Sequence, residues 1–337
     1  MKLLVSGGAG FIGSEFVRMT LRKHAQDSVT VLDKLTYAGN ERNLDAVRED
    51  SRFTFVRGDI CDADLVSDLV READVVVNFA AESHVDRSLE APGQFILTDV
   101  YGTFVLMEAA RRHRHERFIQ VSTDEVYGEV ADGRSRETDE MRPRSPYSAS
   151  KAGGELLVHA YRTSYRFPAI VTRGSNTYGQ YQYPEKIIPL FITNAIDDLP
   201  LPIYGDGGAV RDYLHVEDHV RGIDTALRSG EPGEDYNVGG GSEIDGVAVA
   251  ETVLRLLDKP SSLKQFVQDR PGHDRRYALD SSKIQRLGWR PTIGFDDGML
   301  RTVRWYAENE SWWRPLKSGE FWDFYRRNYK PATTASR

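Results

Sequence analysis

Tyr147 and Lys151 stand four residues apart in Tyr147-Ser148-Ala149-Ser150-Lys151, with Pro146 just ahead where a helix would begin. On a helix that spacing puts phenol and ammonium on one face. A phenol has an ordinary pKa of about 10 and needs help to take a proton near neutral pH. A nearby ammonium favours its ionised form. Upstream, Asp124 and Glu125 are neighbours directly after the apolar run Phe118 to Ser122. Like charges held close push their pKa values apart, so one carboxyl stays protonated as an acid while the other works as a base. Each pattern alone is common on solvated surfaces. Together they supply groups able to move protons, as redox chemistry at an alcohol requires.

Such chemistry needs a hydride carrier, and Gly7-Gly8-Ala9-Gly10-Phe11-Ile12-Gly13 follows the apolar run Leu3 to Ser6. Gly7 permits a tight turn, Gly10 lets the backbone approach a pyrophosphate, and Gly13 lets a helix pack closely on a strand. The helix beginning at Phe11 and Ile12 offers free N–H groups to that anion. Asp33 ends the second apolar run, where a carboxylate accepts ribose hydroxyls and repels a 2′-phosphate, so NAD is expected over NADP. Lys34 softens that preference. Gly58-Asp59-Ile60 is expected beside the adenine, and Asn78-Phe79-Ala80-Ala81 near the pyrophosphate and nicotinamide ribose. An oxidised nicotinamide would add a second positive charge near Tyr147.

The elements that must position these groups follow a regular beat. Leu3 to Ser6, Val29 to Asp33, Phe53 to Arg57, Val75 to Phe79, Phe118 to Ser122 and Ile170 to Thr172 read as buried strands. Between them Phe11 to Arg22, Ala63 to Arg71, Gln94 to His113 and Ser148 to Arg166 read as amphipathic helices. Alternation of this kind implies an α/β fold, a Rossmann-type doubly wound parallel sheet with right-handed crossovers. After about residue 180 the rhythm breaks at Pro184, Pro189, Pro200 and Pro202, and further helices are expected at Val216 to Arg228, Val247 to Leu257 and Asp296 to Asn309. The expected organisation is a cofactor domain over 1–180, a smaller α/β substrate-binding region over 181–329 interleaved with it, and a frayed tail over 330–337.

The composition fits. The chain has 337 residues, with 44 Lys and Arg against 51 Asp and Glu, a net charge of −7 that argues against a nucleic-acid partner. One cysteine, Cys61, cannot form an internal disulfide and fits a cytoplasmic setting. No apolar run is long enough to cross a membrane, so no membrane association is expected. His215 and His219 have a spacing that zinc can use, but no metal is expected, since nothing in the chemistry above needs one.

Gly7 to Gly13 with Tyr147 and Lys151 resembles the extended short-chain dehydrogenase/reductase superfamily. Within it, Val121-Ser122-Thr123-Asp124-Glu125-Val126-Tyr127-Gly128 resembles the dTDP-glucose 4,6-dehydratases. Asp33 to Asn40 and Ala80 to Ser88 match the same family. The resemblance implies NAD as cofactor and dTDP-glucose as substrate. It implies that Tyr147 takes the 4-OH proton as the C4 hydride moves to NAD, that Glu125 removes the C5 proton, and that Asp124 protonates the departing 6-OH before the hydride returns to C6. It places Leu35, Thr36, Gly39, Ser83, Thr98 and Asn176 at the cofactor. Ser83 and Thr123 would hold the hexose, with Asn176, Lys186, Leu190, Pro202, Tyr204, Arg211, Asn237, Arg270, His273 and Tyr277 around the rest of the substrate. It also implies a homodimer through the helices after Gln94 and Ser148, using Val100, Phe104, Met107, Leu157 and Tyr161. A nucleotide-sugar 4-epimerase is the alternative, but it needs only Tyr, Lys and a hydroxyl and would leave Asp124 and Glu125 without work.

Overall fold

Alternation along the first strand sets the architecture. Leu3 and Val5 enter one hydrophobic core and Leu4 another, so successive side chains of one strand face opposite layers. A strand buried on both faces belongs inside a parallel sheet covered by helices on both sides. The computed structural model describes residues 1–330, and residues 331–337, most of the expected tail, lie outside the described residues. Lys330 itself is tied down, its carbonyl accepting from the Gln268 N–H at 3.2 Å.

Among the described residues the strands are β1 Lys2–Ser6, β2 Ser28–Asp33, β3 Phe53–Arg57, β4 Val75–Asn78, β5 Phe118–Thr123, β6 Ala169–Gly174, β7 Asn176–Tyr178, β8 Leu201–Tyr204, β9 Val210–His215, β10 Asp235–Val238, β11 Ser242–Asp245 and β12 Lys264–Val267. The helices are α1 Phe11–Lys23, α2 Ala63–Arg71, α3 Val85–Glu90, α4 Pro92–Phe95, α5 Thr103–Arg112, α6 Pro146–Tyr165, α7 Ile187–Ile196, α8 Val216–Ser229, α9 Gly246–Leu256, α10 Ser282–Gln285, α11 Phe295–Glu308, α12 Glu310–Trp313 and α13 Gly319–Asn328.

Seven strands form one sheet in the order β10-β6-β5-β4-β1-β2-β3, every neighbouring pair parallel. This is a Rossmann-type doubly wound sheet. Helices α1 and α8 pack together over one face, and α2, α5 and α6 supply the core of the other. Strand β10 and helix α8 return from beyond residue 180 to the large sheet, while β7, from before it, joins β9 and β11 in a separate three-stranded sheet. A second core, built from α7, α9, α11, β8 and the aromatic C-terminal segment, holds the smaller region together.

Two expected features are corrected. The single helix from Gln94 to His113 is α4, a π-helical turn over Ile96–Gly102, and α5. The widened turn carries Asp99 inward, where its carboxylate accepts from the Ser150 hydroxyl at 2.6 Å and the Glu82 N–H at 3.0 Å. The apolar face of these helices is also not the expected set, because Met107 and Tyr161 are buried in the chain's own core and Val100 and Leu157 are half-buried. Of that set only Phe104 is exposed, alongside Ile96, Leu97, Tyr101, Leu156 and Tyr165.

Candidate active site

At the carboxyl ends of the parallel strands, where open α/β sheets put their sites, lies a cavity of about 280 Å³. Its floor is the turn between β1 and α1. Gly7 has φ +72°, a left-handed conformation that favours glycine, and a Cβ at Gly13 would overlap the Gly7 carbonyl oxygen. Gly10 caps α1 with no side-chain hydrogen bond, leaving the first N–H groups, at Phe11 and Ile12, free for an anion. Asp33 is buried at the end of β2 and held by N–H groups of Ala9 at 2.9 Å and Leu35 at 2.8 Å. Lys34 pairs with Asp59 at 2.6 Å.

Gly7, Gly10, Phe11, Ile12, Gly13, Asp33, Lys34, Thr36, Gly39, Asp59, Ile60, Ala80, Ala81, Ser83, Thr98 and Asn176 line this cavity, together with Thr123, Asp124, Glu125, Tyr147 and Lys151. Leu35 does not line it. Its φ of +57° turns the side chain onto the core under β1, and it serves Asp33 through its backbone. The uncapped helix start, the glycine turn and the held carboxylate fit a dinucleotide.

The reacting groups are fixed from two elements. Helix α6 starts with a reciprocal cap, Ser145 and Ser148 each accepting the other's backbone N–H at 3.0 Å, with Pro146 in the first turn. Tyr147 and Lys151 therefore leave a rigid helix start. Strand β5 ends at Thr123, whose hydroxyl accepts from the Glu125 N–H at 3.3 Å and donates to Asp124 Oδ1 at 3.2 Å, setting a short 3-10 turn over Asp124–Tyr127.

Burial favours the neutral form of each acidic group here. Asp124 is 3% exposed, with Oδ2 unpartnered, and its pKa is driven well above the carboxylate range by desolvation and then by the Glu125 and Asp212 charges. Glu125 is also raised by burial, but Arg270, Arg211 and Lys186 act against that rise. Burial thus favours the protonated form of both carboxyls, and the cations around Glu125 oppose it there. Tyr147 differs from expectation. Burial and the Glu125 and Asp99 charges push its phenol well above 10, and Lys151 donates to the Val121 carbonyl at 2.8 Å.

A second cavity, of about 160 Å³, meets the first, since Glu125, Asn176 and Lys186 line both. Leu190, Pro202, Tyr204, Arg211, Arg270 and His273 line it. Lys186 donates to the Ser83 carbonyl. Asp86, absent from the expected set, accepts from Tyr204 at 2.9 Å and Arg270 at 3.4 Å and so fixes both. Its only signal in the sequence is its place in the block Ala80 to Ser88.

Two expected substrate residues lie outside both cavities. Asn237 is buried, accepts from the Tyr127 hydroxyl at 2.8 Å and donates to the Ser135 and Asp280 carbonyls, so its amide is consumed in joining β10 to neighbouring loops. Tyr277 is buried against the Arg211 guanidinium, 4.5 Å from its ring centroid, and donates to Asp274. It supports Arg211 from behind. His215 caps α8 through Nδ1, and His219 Nδ1 meets the Thr177 hydroxyl at 2.7 Å. Glu155, His159 and Asp235 are close enough to share an ion, but both carboxylates are paired with Arg173.

Residues 4–302 match the family model described as GDP-mannose 4,6 dehydratase. A dTDP-glucose 4,6-dehydratase of Streptomyces niveus is 50% identical over 323 residues, 94% of this chain and 96% of the relative. The chain belongs to the dTDP-glucose 4,6-dehydratase family. Among solved structures, that of the Streptomyces venezuelae dTDP-glucose 4,6-dehydratase DesIV, with NAD and dTDP bound, superposes with a TM-score of 0.93 at 50% identity, covering 94% of this chain and all of that one. A UDP-glucose 4-epimerase of Thermus thermophilus superposes with a TM-score of 0.85 at 34% identity, covering 92% of this chain and all of that one. The family thus shares a fold with epimerases and departs from them in sequence.

Proposed function

We propose that the protein converts dTDP-glucose to dTDP-4-keto-6-deoxyglucose, with NAD as its resident cofactor. The observation that carries this reading is buried Asp124 next to half-buried Glu125, with Tyr147 in the same cavity and Glu125 at the junction with the second. NAD, when bound, supplies the acceptor for the C4 hydride and gives that hydride back to C6. Tyr147 removes the 4-OH proton, with Lys151 on the same helix face adding positive charge. The 4-ketone so formed acidifies the C5 hydrogen, which Glu125 removes. Asp124, kept protonated by burial and by its neighbour's charge, hands its proton to the departing 6-OH, and water leaves. Glu125 then returns a proton to C5. Ser83 and Thr123 hold the hexose, and Lys186, Arg211 and Arg270 meet the diphosphate.

Incubation of the purified protein with dTDP-glucose should give a product lighter by one water on mass spectrometry. Unchanged mass with conversion to the galacto-sugar would replace this reading by the epimerase. GDP-mannose in a parallel reaction, expected to stay unchanged, separates the family branches.

The exposed apolar set Ile96, Leu97, Tyr101, Phe104, Leu156 and Tyr165 supports a homodimer through α5 and α6 with the turn before α5, which light scattering tests. Among the described residues no helix is long and apolar enough to cross a membrane. We place the protein in the cytoplasm, where a lone thiol stays reduced.

A further inference from the structure

Three charged side chains meet on or next to the elements that carry the reacting groups, and none of them lines either cavity: Arg173 in β6, Glu155 in α6 and Asp235 in β10. Arg173 is 1% exposed and Glu155 is fully buried. The guanidinium is used on all three nitrogens. Nε donates to Glu155 at 2.8 Å, Nη1 to the Tyr127 hydroxyl at 2.7 Å and Nη2 to Asp235 at 2.8 Å. Tyr127 in turn donates to Asn237 at 2.8 Å, and Glu155 accepts from the Ser122 hydroxyl.

These partners belong to the two elements that present the chemistry. Tyr147, Lys151 and Glu155 recur at intervals of four along α6 and share one of its faces. Tyr127 closes the 3-10 turn that begins at Asp124. The two elements are not equally rigid. Helix α6 runs for 20 residues from its reciprocal cap, whereas the turn has four residues, held at its start by the Thr123 hydroxyl, at Val126 by the Arg142 N–H at 2.9 Å, and at its end by the Tyr127 hydroxyl. A planar guanidinium with every nitrogen engaged fixes the distances between its partners. Replacing a buried charge cluster by apolar side chains of similar volume often costs a protein no stability, so stability alone does not account for this one.

We propose that Arg173 is a positioning residue for the elimination: through the Tyr127 hydroxyl it sets the Asp124–Glu125 turn against the helix face that carries Tyr147 and Lys151. The inference rests on the dehydration reading given above. Oxidation at C4 uses Tyr147 and the cofactor, which α6 and the glycine turn hold without this joint. Proton removal at C5 and loss of the 6-OH use Glu125 and Asp124, whose turn needs it, and a small misplacement of reacting groups is costly.

The test follows a single turnover of dTDP-glucose by the full-length, NAD-loaded protein, reading reduced-nicotinamide absorbance and product mass. Tyr127→Phe leaves the ring in its apolar cluster and removes the joint. Reduced nicotinamide should form within about twofold of the parent rate and decay about tenfold more slowly, with NAD content and the Kd for dTDP unchanged. Arg173→Lys keeps the charge but cannot reach three partners at once, and should show the same split more strongly. Unchanged decay in Tyr127→Phe overturns the proposal. Equal slowing of formation and decay, or loss of bound NAD, also overturns it, since either would make the cluster merely structural. Should Arg173→Lys not fold, Tyr127→Phe decides alone. Failure of the parent protein to release a product lighter by one water would instead remove the dehydration reading itself.

Discussion

The two cavities that meet at Glu125 are built by different means. The cofactor side is mostly backbone: a left-handed Gly7, a Gly13 with no room for a Cβ, an uncapped helix start and one carboxylate held by two N–H groups. The substrate side is mostly side chains from distant segments, with Asp86 joining Tyr204 and Arg270 across more than a hundred residues of chain. A backbone site is specified by a short run of residues and tolerates no added bulk. A side-chain site distributes its work, so single losses there weaken binding without dismantling the site.

Substitutions can break that contrast or sharpen it. The largest effect is expected where the cavities meet. Glu125→Gln should slow dehydration by about 10²–10⁴-fold while oxidation at C4 persists, seen as accumulating reduced-nicotinamide absorbance, and a normal rate of product formation would sink the assignment. On the cofactor side, Gly13→Ala forces a methyl against the Gly7 carbonyl, so the purified protein should carry little NAD and lose roughly 1–3 kcal/mol of stability; calorimetry and the absorbance of released cofactor check both. On the substrate side, Arg270→Ala should raise the KM for dTDP-glucose by about 10–100-fold with NAD content intact. If Arg270→Ala lost NAD as completely as Gly13→Ala, the two sides would not be separable.

The smallest effect concerns pH. Burial raises Asp99 to about 6, so the folded chain holds this proton more tightly than the unfolded chain does. The group's contribution to stability is therefore full below about pH 4, falls as pH rises towards 6, and is level above that. Asp99→Asn lacks this slope, and its Tm relative to the parent should climb between those values. A constant difference would mean that Asp99 is ionised throughout.

Legibility follows the same contrast. Alternation at Leu3, Leu4 and Val5, the glycine turn and the Tyr147–Lys151 spacing are local, and local spacing is what a chain displays directly. Leu35 and Asn237 show the limit. Both were expected at the site, yet one faces the core and the other is consumed by carbonyls from loops 102 and 43 residues away. The π-helical turn over Ile96–Gly102 was equally hidden, because its periodicity differs from that of an ordinary helix by a single residue.

What the sequence by itself determined is the parallel sheet, the cofactor turn, and most of the residues that line the two cavities. These depend on side-chain period and on conformations that only certain residues adopt. The tertiary structure alone decided the burial that raises the pKa values of Asp124 and Tyr147, the partner of Lys151, and the meeting of Asp86, Tyr204, Arg270 and Tyr329. Burial and encounters between distant segments arise only when the sheet is assembled, and no run of neighbouring residues records them.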